Sequence, residues 1–259
     1  MIERFFSQAV LYHRGRTAAF NMLEFLCFDA AYPIVTLIFY CLLASYSFHA
    51  ADLTRWVVGN VFLMCTNTCV FGLGRIFTNE RYTGRLRSIV AAPCSKLALV
   101  LASGVFPALL SSLSVAGGFA VGALAFGVDF SGVNLAMAAV TILCAMTAAT
   151  GFGLFLSALG LLTDSMHLVL NVVSYVLMIF TGAEFPVAQL PTVGRAISRL
   201  LPLTRSIRAM NLLFEGAARG VLPLLLGELA VGATYALAAW CVFLAAQRVC
   251  VRSGKLDLF

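Results

Sequence analysis

Apolar residues run along this chain in stretches too long for an amphipathic surface helix and too unbroken for a half-buried strand. Windows of mostly apolar positions recur at about 23–48, 57–78, 97–126, 133–162, 165–182 and 221–246, and about 20 such residues in helical form cross a hydrocarbon layer. The pattern predicts an all-α membrane protein, one domain over 1–259 with six transmembrane helices. The third and fourth windows exceed the need of a perpendicular crossing, so they are expected to tilt or to run past the headgroups. Between the fifth and sixth windows the pattern breaks. Thr181 to Leu203, TGAEFPVAQLPTVGRAISRLLPL, contains Pro186, Pro191 and Pro202, each of which fixes a backbone angle and removes an amide donor, so no single helix is expected to continue through it.

The first twenty residues carry a different periodicity. Ile2, Phe5, Phe6, Ala9 and Val10 repeat at helical spacing, with Arg4, Gln8 and Arg14 on other faces, which predicts an amphipathic helix lying along the headgroups over 1–20. A signal peptide does not fit, because the apolar run that follows is too long and Glu24 and Asp29 stand where small cleavage-site residues belong.

Composition agrees with the pattern: 61% of positions are hydrophobic and 11% charged, and the mean hydropathy is +0.98, against about a quarter charged in soluble domains. With an even number of spans both termini share a side, and 11 of the 17 Lys and Arg residues then fall on it. That side is expected to be cytoplasmic, for a multi-pass protein of a bacterial-type inner membrane. The net charge of +6 reads as membrane-surface bias, since nucleic-acid binding would need a basic exposed domain. Most of the eight cysteines lie inside apolar windows and are expected to be free thiols that pack as small apolar groups. Gly118 and Gly122 form a small-xxx-small step suited to close helix contact.

Chemistry is sparse. No phosphate-binding loop of the G-x-x-x-x-G-K-S/T kind is present, and His13, His49 and His167 stand in separate segments, so neither a metal cluster nor a catalytic triad is indicated. No catalytic residue, metal or resident cofactor is expected. A charge at mid-bilayer costs about 2.5–3.5 kcal/mol on insertion scales, which singles out Glu228, about two turns into the sixth window. It is either part of a polar path, with Arg205 and Arg208 as further candidates, or an interfacial carboxylate paired with a nearby arginine.

The loop after the second window reads NERYTGRLRSIVAAP from Asn79 to Pro93. Glu80, Gly84, Leu86, Ile89 and Pro93 follow the order acidic residue, glycine, amphipathic turn and proline. The loop resembles the coupling segment of ABC type-2 export permeases, whose common form is E-x-x-x-G-T-L-E-x-L-L-x-x-P. The same family shows S-G-x-x-F-P-x-x-x-L-P after its fifth span and then L-P-L-T. Thr181 to Pro186 with Leu190-Pro191, and Leu201 to Thr204, occupy those places here. Departures are Arg85 and Arg87 in place of Thr and Glu, and Asn211 in place of an arginine.

The resemblance implies a permease subunit of an ATP-binding-cassette exporter, not catalytic alone. Two such subunits would pair, as homo- or heterodimer, and dock two ATPase subunits that bind ATP and Mg. Residues 80–93 would form the coupling segment and the interface helix would brace it. Residues 184–203 would form a re-entrant helical hairpin at the exit, with Gly182, Glu184, Phe185, Pro186, Leu190, Pro191 and Pro202 as its marker residues, and with membrane lipid around it. The first and fifth spans would frame a lateral opening. The cargo would be hydrophobic or amphipathic: a drug, antibiotic, lipid or lipid-linked glycan. Two other classes remain, an ion-coupled carrier, which would need mid-membrane ionisable pairs and inverted repeats, and a non-transporting assembly factor, which would need no coupling loop.

Overall fold

The computed structural model describes residues 31–48, 52–75, 78, 84, 96–161, 163 and 165–253. The interface helix expected over 1–20, the start of the first span and the coupling residues Glu80, Leu86, Ile89 and Pro93 lie outside the described residues.

All regular structure among the described residues is helical. α1 spans Tyr32–Phe48, α2 Thr54–Leu63, α3 Lys96–Phe126, α4 Leu135–Leu159, α5 Met166–Phe180, α6 Thr192–Leu200, α7 Thr204–Phe214 and α8 Val221–Ser253, with 3-10 turns at Val187–Gln189 and Ala218–Gly220. Three stretches are long and apolar enough to cross a membrane, Ala108–Phe126, Leu135–Leu159 and Ala218–Ala245, and Pro33–Ser47 and Met166–Phe180 are shorter apolar helices. The interval 57–78 is not uniform. α2 ends at Leu63, and after Met64 and Cys65 the chain winds as a π-helix over Thr66–Gly72.

α4 is the hub, packed against α3, α7, α8 and the π segment. Its interior face is made of Ala145, Ala148, Ala149, Gly151, Gly153 and Ser157, all buried. Small side chains let backbones touch, which is how membrane helices gain dispersion contacts where lipid offers no hydrophobic drive. A Cβ built on Gly232 of α8 would stand 2.6 Å from the Ala148 Cα, and one on Gly151 would stand 2.5 Å from the Gly232 carbonyl oxygen. A Cβ on Gly153 would fall on the Cys69 carbonyl of the π segment. Gly118 and Gly122 do face a neighbouring helix, but what fills the space over them is side chains and not backbone: Val61 and Val57 of α2, and Met64 just past its end.

Several hydroxyl and thiol groups on the helices find local partners, as an apolar solvent favours. The Cys69 thiol lies 3.0 Å from the Ser111 hydroxyl of α3 and 3.6 Å from that of Thr150 on α4, tying three elements together. Ser112, Ser114, Thr141, Thr147 and Thr234 donate to carbonyls one turn back on their own helices. Cys41, Cys65, Cys69, Cys144 and Cys241 are free thiols.

The connections are capped by short polar side chains. Asp52 accepts the Thr54 N–H at 2.9 Å, and Asn134 accepts the Met137 N–H at 3.1 Å at the start of α4. An Asn134→Ala substitution is expected to cost about 1 kcal/mol. A thermal melt in detergent that leaves the variant at the parent midpoint would show this cap to be redundant.

Candidate functional site

α5 stops at Phe180 because the next residues cannot extend it. The Thr181 hydroxyl turns back to the Leu177 carbonyl, and Gly182 takes a left-handed conformation with φ 88°, open to glycine and strained for residues with a Cβ. The chain then lies directly on α2, where a Cβ at Gly59 would collide with the Ala183 backbone. Gly182→Ala should therefore cost about 1–2 kcal/mol, measured as a lower melting midpoint. A variant as stable as the parent would mean that the backbone here relaxes freely.

Beyond this contact sit Glu184 and Arg55. The polar neighbours of Glu184 are the Asn60 side chain and the Arg55 guanidinium, and that guanidinium lies over the Trp56 ring, 5.8 Å from its centroid. Phe185 is exposed, Pro186 leads into the 3-10 turn, and Leu190 and Pro191 lead into α6.

α6 presents Gly194 and Ser198 inward. Ser198 donates to the Phe180 carbonyl at 2.5 Å and to the Gly194 carbonyl at 2.9 Å, which pins α6 to the end of α5. Arg195 and Arg199 point outward and are exposed. Within 184–203, where the hairpin is expected, the structure has one 3-10 turn and α6, followed by the turn that holds Pro202; α7 begins at Thr204, just beyond that range.

The turn between α6 and α7 is where the site becomes specific. Leu201 is extended, as a residue before proline must be, and Leu203 has φ 72°, the only left-handed non-glycine among the described residues. Both are buried. Glu228 of α8 is completely buried and spends its carboxylate on this turn. Oε1 accepts the Leu203 N–H at 2.5 Å and Oε2 accepts the Arg205 N–H at 3.1 Å. A pair of acceptor oxygens is thus seated on the N-terminus of α7, where free amides need them. Two helical turns further along α8, the Tyr235 hydroxyl donates to the Leu200 carbonyl at 3.1 Å, and its ring packs edge-on to Phe152 of α4.

These anchors fix where the turn lies. Glu228 and Tyr235 stand 7 and 14 residues after Val221, about 10 and 21 Å along the helix, well inside the apolar stretch Ala218–Ala245. Irregular backbone at such a position is tolerable only if its polar groups are met by protein.

The arginine candidates separate. Arg205 is half-buried, donates from Nη2 to the Arg199 carbonyl at 2.8 Å and crosses α8 where Gly227 leaves room, since a Cβ there would lie 3.0 Å from Arg205 Cδ. Arg208 is exposed. Of the coupling residues, Gly84 is described, exposed in a turn with φ 70°, a conformation suited to glycine. Leu203, Ser198 and Tyr235 were not legible as site residues in the sequence. The available signal for Tyr235 is its spacing from Glu228, which puts both on one face of α8.

Against known families, the sequence model described as ABC-2 type transporter matches residues 25–214. A search of curated proteins finds no match.

Proposed function

Because the chain belongs to the ABC-2 type transporter family, we propose that it is the six-span permease subunit of an ABC exporter, with both termini in the cytoplasm, moving an amphipathic cargo outward. Permeases of this family associate with ABC ATPase subunits and are generally non-catalytic alone. Two copies of the chain, or this chain and a related one, pair in the inner membrane and dock two ATPases that carry ATP and Mg. Residues 80–93 couple them, with Glu80, Gly84, Leu86, Ile89 and Pro93 forming the docking turn, braced by the interface helix of 1–20.

The observation that carries the reading beyond the family is the α6–α7 turn. It leaves helical geometry at a depth where α8 is apolar, yet its free backbone groups are met by Glu228 and Tyr235. This supports a re-entrant element in the outer leaflet, with Gly182, Glu184, Phe185, Pro186, Leu190, Pro191 and Pro202 shaping its entry and its turn. ATP-driven closure of the partner subunits then shifts the bundles between two packings, and the re-entrant arm caps or frees the exit.

Reconstitution tests both halves. The purified chain should hydrolyse no ATP, and pairing it with its ATPase subunit in liposomes should give hydrolysis that responds to the permease. The paired Glu80→Ala, Gly84→Ala variant should reduce that response to the level of the ATPase alone. Full coupling in the double variant would remove the docking role from 80–93.

A further inference from the structure

The start of α2 and the chain that follows α5 meet where two opposite charges are held near one another without touching. Arg55 and Glu184 are both half-buried. One oxygen of the carboxyl, Oε1, and one nitrogen of the guanidinium, Nη2, are each shut off from solvent and without a hydrogen-bond partner. The guanidinium lies instead over the Trp56 ring, 5.8 Å from its centroid. The Asn60 side chain, the other polar neighbour of the carboxyl, gives an amide N–H to the Trp56 carbonyl at 3.0 Å. From α1, the Cys41 thiol lies within electrostatic reach of the same carboxyl. Arg55 is therefore the charged group among these neighbours. On one side of Glu184, Ala183 is completely buried and its backbone presses on the bare face of Gly59, so the chain cannot give way there. On the other, Phe185 is exposed and leads into Pro186 and the 3-10 turn.

A carboxylate oxygen and a guanidinium N–H enclosed together and left unpaired make an unfavourable arrangement. It is relieved in two ways: the carboxyl takes up a proton and becomes neutral, or the two groups close on one another. We propose that Glu184 is a proton-operated latch between α2 and the entry to α6: protonated, it rests as described and leaves Arg55 on Trp56, and ionised, it draws Arg55 off the ring into a direct ion pair. The first arrangement is the one this fold holds. Burial raises the Glu184 carboxyl above its ordinary value of 4.5, with Asn60 and Arg55 opposing. The described seating is thus favoured in acid and lost as the pH climbs from the ordinary value through the raised one. Because Ala183 is locked on Gly59, the change passes forward, through Phe185 and Pro186, to α6. The latch stands without the permease reading; resting on that reading, it makes the exit arm respond to the acidity of the outer medium.

The chain has two tryptophans, Trp56 and Trp240, so Trp240→Phe leaves the indole beneath Arg55 as the sole reporter. With this full-length chain in phosphatidylcholine nanodiscs, Trp56 emission followed from about pH 4.5 to about pH 8 should show a single-proton step, because the cation leaves the ring as the carboxyl ionises. Glu184→Gln, equal in shape and neutral, should hold the acid-side signal throughout, and Arg55→Gln should lose the step. Asp52→Asn, which removes the nearby capping acid, should titrate like the parent. If either of the first two variants fails to fold, Glu184→Asp decides: it still titrates, and the step should persist with a displaced midpoint. A parent without a step, an unchanged step in Glu184→Gln, a Glu184→Gln signal that matches the alkaline plateau, or a step abolished by Asp52→Asn overturns the proposal. With the ATPase in liposomes, cargo movement indifferent to outside pH while the Trp56 step persists would overturn the link to exit. Failure to couple to any ATPase would instead overturn the permease reading and leave the Trp56 step as it is.

Discussion

Glu228→Ala is expected to lower stability by about 2–5 kcal/mol, because it leaves the buried N–H groups of Leu203 and Arg205 without an acceptor at about 1–3 kcal/mol each. The loss should be local before it is global. α6 and α7 would lose their fixed turn first, so limited proteolysis between Thr181 and Phe214 should accelerate at temperatures where α3 and α4 still resist. Glu228→Gln keeps the shape and one acceptor oxygen and should fall between parent and alanine variant. Tyr235→Phe, which removes one hydrogen bond to Leu200, should cost about 1 kcal/mol. If Glu228→Ala matches the parent in melting and in cleavage pattern, the carboxylate is not what holds the turn. In transport assays the anchor makes a further demand: the alanine variant should keep ATP hydrolysis responsive to docking while outward cargo movement fails, since docking and exit lie at opposite ends of the proposed machine.

The second large effect concerns the α4–α8 seam. Gly232→Leu should cost about 3 kcal/mol or more, at or above the upper end of overpacking penalties, because the obstacle is the Ala148 backbone and no flexible side chain can yield. Gly153→Leu should do the same against the Cys69 carbonyl. Gly117→Leu on α3 is the matched control, since nothing lies within 4 Å of its Cβ position. The measurement is the fraction of monodisperse protein after detergent extraction, followed by its melting midpoint. Equal behaviour of the 117 and 232 variants would show that the seam is looser than its geometry.

Much of this molecule could be read before its fold was seen, and the boundary is physical. Long apolar windows report burial in hydrocarbon whatever the tertiary contacts, so α3, α4 and α5 end within three residues of the windows expected, while α8 begins where expected and runs on to Ser253, past the apolar window. Gly118 and Gly122 were legible as a contact face because absent side chains leave room for a neighbour, here the side chains of Val57, Val61 and Met64. Pro186, Pro191 and Pro202 announced a break because proline acts locally. The role of Glu228 was not legible: a carboxylate in an apolar run shows that something must satisfy it, and the Leu203 and Arg205 amides are 25 and 23 residues distant in sequence. Leu203 was hidden for a different reason. Left-handed backbone is read from glycine, and here the conformation is imposed on a leucine by the turn around it. The π winding that follows α2 was equally invisible, since a π turn leaves hydropathy unchanged.

That wide turn, Thr66–Gly72, has a geometric consequence for the proposed inner loop. Each residue of an α-helix advances the side-chain direction by about 100°, and a π turn accommodates one residue more than the α-helical ladder would. The segment therefore sets the azimuth at which the chain leaves the bundle toward 80–93. Removing a single residue from it would leave Val57, Val61 and Gly59 in place against α3 and the Ala183 backbone, yet would turn the exit toward the proposed docking loop by about a quarter of a revolution.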